Sequence, residues 1–328
     1  MLSDEGVRVD RNSELRPRPA TTRSQLMLQT VCEMVRPRTS PYQQARVQIR
    51  DQGAADWTYT MLGSDSPRAL EEVARREADV ASVNPSGTLT VAYRGKGPFA
   101  EPLPLRAITV IPSLDWLGFA VNESTGITSL ADVKAERYPL RVSVRGQRDH
   151  SIHLYVDMVL AAYGFSFADL EGWGGAVSFD AGMPYEQRRV DKLERGEIDA
   201  IFDESMTRFV AVAEQHQMRL LPLEPAILEQ MEELGFRRSM LPGNLWPTPH
   251  ADVPTLDFSG WPVFTHAEAP DDFIYDFCRG LDARKGEIAW QEPGPLPLET
   301  MCRDSKDGPL DVPLHPAAER YWHDAGYL

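Results

Sequence analysis

The segment from Arg145 to Ser151 holds the densest group of side chains that could bind a charged ligand. It joins a predicted strand, 141–146, to a predicted helix, and the free N–H groups and dipole at a helix start favour an anion. The guanidinium of Arg145 or of Arg148 could hold a carboxylate through two hydrogen bonds. The alternative is that both arginines are solvated and that Asp149 or Ser151 only caps the helix.

Four other loops follow predicted strands and are candidates by the same geometry. Ligands of open α/β sheets bind outside the carboxyl ends of the strands, which selects Leu62–Ser66, Asn84–Ser86, Pro112–Trp116 and Asp203–Met206. A proline-rich loop, 240–253, adds a tryptophan that could act as a lid. The candidate ligand-binding residues are Ser64, Ser66, Asn84, Ser86, Ser113, Trp116, Arg145, Gln147, Arg148, His150, Ser151, Asp203, Glu204 and Trp246.

Most of these residues also have an ordinary structural interpretation. The serines could cap helices, and the tryptophans could pack between lobes or lie in a surface loop. Asn84 and Ser86 fit a common turn. Asp203 and Glu204 are adjacent in a strand and point to opposite sides, so we expect one to face the ligand and the other to face solvent.

Covalent or metal chemistry has weaker support in the sequence. His150 and His153 have a spacing that could bind a metal, but no cysteine lies nearby, so we expect no metal and no cofactor. Cys32 and Cys278 lie in apolar helical patterns and are expected to be buried thiols. If the protein is an enzyme, Cys32 would be the nucleophile, and His150 and Glu204 would transfer protons. Motifs for nucleotide hydrolysis, lipase chemistry and dinucleotide binding are absent from the sequence.

Strands and helices alternate along nearly the whole chain, which predicts an α/β fold with parallel sheets and right-handed crossovers. Residues 1–23 are predicted to be an irregular arm, and 84–87 a turn. The predicted strands are 46–51, 57–62, 78–84, 105–112, 117–122, 141–146, 176–180, 198–204, 218–223 and 255–266. The predicted helices are 24–36, 67–77, 130–134, 153–164, 185–197, 225–234, 271–280 and a last one from Pro316.

Composition excludes several classes of partner. The 328 residues include 34 Lys and Arg against 49 Asp and Glu, a formal charge of −15 that repels nucleic acid. No apolar run reaches the roughly 18 residues of a membrane-spanning helix, so we expect no membrane insertion. The first residues lack the basic and apolar pattern of an export signal. We therefore expect a cytoplasmic protein, or a periplasmic one if the true start lies upstream.

Three motifs, in order, resemble one family of solute receptors. They are TGITSLADVK (125–134), RGEIDAIF (195–202) and PLHPAAERYWHDAG (313–326). Because the motifs occur in this order, the chain resembles the TAXI-type solute-binding proteins of tripartite ATP-independent periplasmic (TRAP) transporters over about four fifths of its length.

The resemblance implies a bilobed type II periplasmic-binding-protein fold, in which two doubly wound α/β lobes are joined by crossing hinge strands. Lobe one would comprise 24–115 plus 255–328, and lobe two 116–254. A small organic anion, carboxylated or aromatic, would be bound between them, with a membrane permease as partner if the protein is exported.

Two departures from the family pattern support an alternative function. The family has an export signal and a glycine-rich turn before its first helix, whereas this sequence shows neither, and its corresponding segment is RPRPATTRSQL (16–26). The alternative is a cytoplasmic enzyme on the same fold, similar to a decarboxylase, desulfinase or dehydratase, with a small carboxylated or aromatic substrate.

Overall fold

The computed structural model describes residues 19–35, 44–50, 57–204 and 207–328. The chain divides into two units, Met1–Gln43 and Gln44–Leu328, which we describe separately. The arm predicted at 1–23 and the end of the loop Asp203–Met206 lie largely outside the described residues.

The described residues of the first unit, 19–35, form one helix, α1 (Pro19–Val35), which begins before the predicted Ser24. Its apolar side chains are exposed, Met27 to 64% and Met34 to 56%. Cys32 is exposed as well, so the expectation of a buried thiol is wrong. Helical spacing of apolar residues predicts an apolar face but does not say whether other residues cover it.

The second unit contains twelve strands and eleven α-helices within its described residues. The strands are β1 (Ala45–Arg50), β2 (Thr58–Gly63), β3 (Val80–Ser82), β4 (Leu105–Ile111), β5 (Leu117–Asn122), β6 (Arg141–Arg145), β7 (Ala176–Asp180), β8 (Ala200–Glu204), β9 (Met218–Leu220), β10 (Arg238–Leu241), β11 (Val253–Leu256) and β12 (Trp261–His266). The helices are α2 (Arg68–Ala74), α3 (Ser86–Arg94), α4 (Leu130–Glu136), α5 (Ser151–Ala162), α6 (Phe167–Gly172), α7 (Gln187–Glu194), α8 (Thr207–Gln215), α9 (Pro225–Leu234), α10 (Asp271–Arg284), α11 (Leu298–Met301) and α12 (Pro316–Asp324).

The second unit is a bilobed α/β structure with one five-stranded sheet in each lobe. The first sheet has the order β1-β2-β3-β12-β4 and the second β7-β6-β8-β5-β9. We call each sheet with its helices the first and the second lobe. Strands β10 and β11 form a separate antiparallel pair. The change of sheet occurs within 112–116 and 257–260; the predicted lobe bounds at 115/116 and 254/255 stay predictions.

The sheets are mixed, which corrects the expectation of purely parallel sheets. Strand β2 is parallel to β3, and β6 is parallel to both β7 and β8. Strands β5 and β12 run antiparallel to their neighbours. The chain reaches each of these two strands through a crossing between the lobes and not through a helical crossover. A helical crossover is what makes a strand run parallel to the one before it, so these two strands can run antiparallel.

Four helices, α3, α6, α8 and the four-residue α11, lie where the sequence predicts none. Helix α3 begins at Ser86, inside the predicted turn, because turn residues also suit a helix start. Helices α6 and α8 are short, so their apolar spacing gives a weak signal. Among the described residues, no helix combines the length and apolar character required to cross a bilayer.

The two crossing segments form one buried ribbon between the lobes. Phe258 N–H donates to the carbonyl of Asp115 at 3.0 Å, and Gly260 N–H donates to that of Ser113 at 2.9 Å. Gly260 has φ +77°, and a Cβ there would lie 2.4 Å from Ser86 Oγ. Only glycine fits this close approach, which fixes how the returning chain enters the first lobe.

The motif at the end of the chain is explained by the packing of α12. The ring of His315 accepts from Ala317 N–H at 3.2 Å and caps the helix, and Pro316 occupies its first turn. Trp322 is fully buried, and its Nε1 donates to the carbonyl of Ile108 in β4 at 2.8 Å. The motif therefore attaches the chain end to the first sheet.

The returning strand β12 should make a large contribution to stability. Phe264 is fully buried in it, between β3 and β4. We expect Phe264→Ala to lower the free energy of unfolding by about 3–5 kcal/mol through the cavity it leaves. Urea unfolding measures this, with Leu114→Ala as control; Leu114 is 44% exposed, and its loss should cost less than about 0.5 kcal/mol. Equal effects would contradict the placement of β12.

Candidate functional site

A buried ionic cluster lies at the carboxyl ends of β6 and β8. Arg145 is the last residue of β6, and Asp203 and Glu204 end β8. Because the two strands are parallel neighbours, their ends meet at one edge of the second sheet. Arg145 Nη2 lies 2.6 Å from Asp203 Oδ1 and 3.3 Å from Glu204 Oε2. Both acids are buried, so the expectation that one of them is solvated is wrong.

Arg189 completes the inner part of this cluster and was not predicted. It is fully buried on α7, and its guanidinium binds Asp203. It also donates to Ser143 Oγ at 3.0 Å and to the Ser143 carbonyl at 3.2 Å. The charged sequence around it resembles an exposed helix, but Arg189 lies four residues before buried Leu193. This position on the apolar face of α7 was the one feature of the sequence that could have indicated a buried arginine.

The charges of the cluster shift the pKa values of its carboxyl groups in opposite directions. Burial would raise the pKa of Asp203, but the guanidiniums of Arg145 and Arg189 outweigh it and hold that pKa below its usual value. Burial raises the pKa of Glu204, despite Arg145. Burial and the charge of Glu204 raise the pKa of Asp115, which lies buried in the crossing ribbon.

His150 caps helix α5 at the edge of the cluster. Its Nδ1 accepts from Ile152 N–H at 3.1 Å, so the proton of the neutral ring is on Nε2. This Nε2 lies 3.5 Å from Glu204 Oε1 and 3.9 Å from Asp65 Oδ2. Burial, together with the charge of Arg145, lowers the pKa of His150 to about 3, so the ring is neutral at physiological pH.

Asp65 brings the first lobe into contact with this site. Its carbonyl accepts from Ser151 N–H at 3.0 Å and from Ser151 Oγ at 2.8 Å. Gln147 Nε2 donates to Asp65 Oδ1 at 2.6 Å. The N-terminus of α5, predicted to bind an anion, is therefore occupied by the protein's own Asp65, which follows β2.

Three other predicted residues make their contacts outside the ion pairs of the cluster. Arg148 is exposed, with its guanidinium carbon 3.3 Å from the centre of the Phe179 ring. Trp116 and Trp246 are both buried in the apolar core of the second lobe. Trp246 packs beside His250, with ring centres 5.2 Å apart, which does not fit a mobile lid.

Several predicted residues carry buried polar atoms without a hydrogen-bond partner among the described residues. These atoms are Asn84 Oδ1, Ser86 Oγ, Trp116 Nε1, Gln147 Oε1 and Glu204 Oε1. An unsatisfied buried polar atom costs about 1–3 kcal/mol, so folded proteins seldom keep several without a function. The strand-end loops thus hold unused hydrogen-bonding capacity.

A cavity of about 320 Å³ opens beside the loop Leu62–Ser66. Its lining includes Ser64, Ser66 and Arg68 from the first lobe and Asp149 from the second. Two further lining residues, Arg46 and Glu72, form an ion pair with each other. Within the described part of the chain, the Arg68 guanidinium makes no hydrogen bond or ion pair, so this cationic group is available to a ligand.

Two candidate residues remain, Ser113 and Cys32. Ser113 lies in the crossing ribbon, where its carbonyl accepts from Gly260. Cys32 belongs to the first unit of the chain. In the part of the chain that the structure describes, no three His, Cys, Asp or Glu side chains are arranged to hold a metal ion.

Comparisons with known proteins give one family match and several distant structural similarities. The model of the NMT1-like family matches residues 61–326. SsuA from Xanthomonas axonopodis pv. citri, an alkanesulfonate-binding protein bound to MOPS, is 17% identical, with a TM-score of 0.33 over 67% of this chain and 60% of that one. The aliphatic sulphonate binding protein SsuA from Escherichia coli is 16% identical, with a TM-score of 0.33 over 66% and 54%.

A third structure extends the range of ligand types named among these similar proteins. The glycine/betaine/L-proline-binding protein ProX from Borrelia burgdorferi is 10% identical, with a TM-score of 0.35 over 65% of this chain and 66% of that one. The chain spans only 54–60% of the length of the two SsuA proteins.

The ion pairs of Asp203 should contribute far more to stability than those of a surface aspartate. Asp203→Asn leaves two buried guanidiniums without their shared carboxylate and should cost about 3–5 kcal/mol. Asp199→Asn is the matched control, because Asp199 pairs with Arg141, which is 42% exposed, and should cost about 1 kcal/mol. Urea unfolding of both variants measures the difference. Equal costs would mean that Asp203 does not hold the cluster together.

His150 should destabilise the fold as the pH falls. Between its unfolded pKa of about 6.5 and its folded pKa of about 3, only the unfolded state takes up this proton. The site therefore lowers the free energy of unfolding by at most about 1.4 kcal/mol per pH unit over that range. His150→Asn keeps a capping group for α5 but cannot titrate. In urea unfolding, its stability relative to wild type should rise from pH 7 to pH 4. A constant difference would contradict the neutral, buried ring.

Proposed function

The chain belongs to the NMT1-like family, and we propose that it is a solute receptor that binds a small organic anion between its two lobes. The observation that carries this proposal is the combination of an available cation with a cavity bordered by both lobes. Arg68, Ser64 and Ser66 contribute from the first lobe, and Asp149 contributes from the second. Polar groups facing a concave site from two lobes are typical of small-molecule binding.

Charge distribution supports Arg68 as the group that binds the anion. Arg145 is already bound by Asp203 and Glu204, and Arg148 lies over Phe179. Arg68, by contrast, can offer its planar guanidinium to a carboxylate in a bidentate contact. We assign the anion to Arg68, a residue that the sequence analysis did not select.

The geometry favours a receptor over the enzyme alternative. A general base should have a pKa near the working pH, whereas burial and Arg145 hold the pKa of His150 at about 3. Glu204 lies 3.5 Å from this ring, and its pKa is raised by burial. His150 and Glu204 therefore do not supply the general base that the alternative requires.

The narrower assignments follow from the same proposal. The motifs at 125–134, 195–202 and 313–326 support a TAXI-type receptor, whose partner would be a membrane permease. This partnership requires export to the periplasm. A cytoplasmic location would instead leave the protein to bind its solute without transport.

Binding of an anion should stabilise the protein and depend on Arg68. A thermal-shift screen of small carboxylates, sulfonates, amino acids and aromatic acids tests this, because a compound at 100 times its Kd adds about 2.7 kcal/mol to the free energy of unfolding. We expect Arg68→Ala to weaken binding at least about tenfold, or 1.4 kcal/mol. Arg75→Ala is the matched control, because Arg75 follows the same helix but pairs with Glu71 and Glu77.

Two outcomes would contradict the proposal. If no compound in the screen shifts the unfolding midpoint, or if Arg68→Ala binds like the control, the anion site is wrong. Mass spectrometry of each mixture separates a receptor from an enzyme, since a receptor returns its solute unchanged.

A further inference from the structure

The buried cluster has one carboxyl group more than it has cations. Arg145 and Arg189 supply two positive charges, and the ring of His150 is neutral. Against them stand the carboxyl groups of Asp115, Asp203 and Glu204, all nine-tenths or more buried. Buried charges are normally paired, so the cluster lacks one cation for full ionisation.

The missing partner is located by the hydrogen bonds of the three acids. Asp203 is fully engaged by Arg145, Arg189 and the N–H of Glu204, which donates at 2.9 Å. Asp115 Oδ1 accepts from the N–H of Trp116 at 2.8 Å. Glu204 uses Oε2 for Arg145, while its Oε1 is buried and accepts no hydrogen bond within the described residues.

Acceptor oxygens from the two lobes lie near the Nε2–H group of His150, beyond normal hydrogen-bond length. His150 Nε2 lies 3.5 Å from Glu204 Oε1, in the second lobe, and 3.9 Å from Asp65 Oδ2, in the first. Gln147 binds Asp65 through Nε2, which leaves its buried Oε1 as another acceptor without a donor. A group with several N–H donors could bind oxygens of both lobes at once.

Exposure shows which side of the cluster a ligand could reach. Arg189 and Asp203 are fully buried, whereas Arg145, His150 and Glu204 each keep 4–7% of their surface exposed. The Asp65 side chain is 21% exposed. The cluster is therefore least buried on the side that faces Asp65 of the first lobe, and Glu204 Oε1 lies just beneath that side, because the atom itself is buried.

We propose that Glu204 and Asp65 form a subsite for a protonated amine of the bound solute. The ammonium group would donate to Glu204 Oε1 and Asp65 Oδ2, and its charge would offset part of the excess of carboxyl groups, which is one among Asp115, Asp203 and Glu204 and two when Asp65 is counted. This inference rests on the proposed receptor function and adds to it that the solute is zwitterionic, with its anionic group at Arg68. A metal ion is the weaker occupant, because no metal-binding group of three side chains occurs in the described residues.

Matched probes test the subsite. Calorimetric titration would compare ω-amino acids from glycine to 6-aminohexanoate with the carboxylates that lack the amine, and would include ethylammonium alone. We expect at least one amino acid to bind tenfold or more tightly than its deaminated counterpart. Glu204→Gln and Asp65→Asn should each abolish this preference, whereas Glu232→Gln, which removes a surface partner of Arg238, should keep it.

A second measurement separates recognition from a structural role of Glu204. If its carboxylate awaits a ligand cation, free Glu204→Gln should unfold at the same temperature as wild type or higher at pH 8. A loss of more than tenfold in the folding equilibrium constant would show that the pair of Glu204 with Arg145 stabilises the free protein by more than the excess of buried carboxyl groups destabilises it, and would overturn the subsite. Asp65→Asn provides the same test from the first lobe.

The outcomes distinguish this inference from the proposed function. Equal affinity for aminated and deaminated probes would overturn the amine subsite and leave the anion receptor standing. Binding of ethylammonium that Glu204→Gln abolishes, without any binding of carboxylates, would support the subsite and overturn the anion proposal. Absence of binding by every probe would overturn both.

Discussion

The structure of the second lobe depends on one carboxylate, that of Asp203, held between two guanidiniums. Arg145 comes from β6 and Arg189 from α7, so this contact joins a strand, its parallel neighbour and a helix on one face of the sheet. A buried carboxylate is tolerated only with such full pairing. With Asp203 fixed at the end of β8, the adjacent Glu204 also contacts Arg145 and lies 3.5 Å from the ring of His150.

The same constraint explains why the site is electrostatically unusual. Burial raises the pKa values of Glu204 and Asp115, and the charge of Arg145 only partly offsets it, whereas two guanidiniums lower the pKa of Asp203. Perturbed carboxyl groups of this kind cluster at functional sites. The crossing ribbon places Asp115 there, since β5, which follows it, pairs with β8. Hinge and candidate site are therefore built from the same few strands.

The sequence predicted the α/β class, most strands and the loops of the site, since strand ends are marked by local pattern. It could not predict how charges pair. Arg189 looked like a surface residue, and the occupant of the α5 N-terminus, Asp65, lies more than eighty residues before it. Cys32 was misjudged because apolar spacing does not reveal what covers a helix. The antiparallel direction of β5 and β12 depends on the crossings, which leave no local signal.

The contact of Asp65 with Ser151 and Gln147 has a consequence for selectivity. These hydrogen bonds hold the two lobes together through the protein's own groups, so a solute that separates them must replace what it removes. Apparent affinity falls by the fraction of molecules open to binding, and this reduction is the same for every compound. The contact would therefore raise the apparent Kd of every solute by the same factor, and selectivity between solutes must come from the groups that bind them.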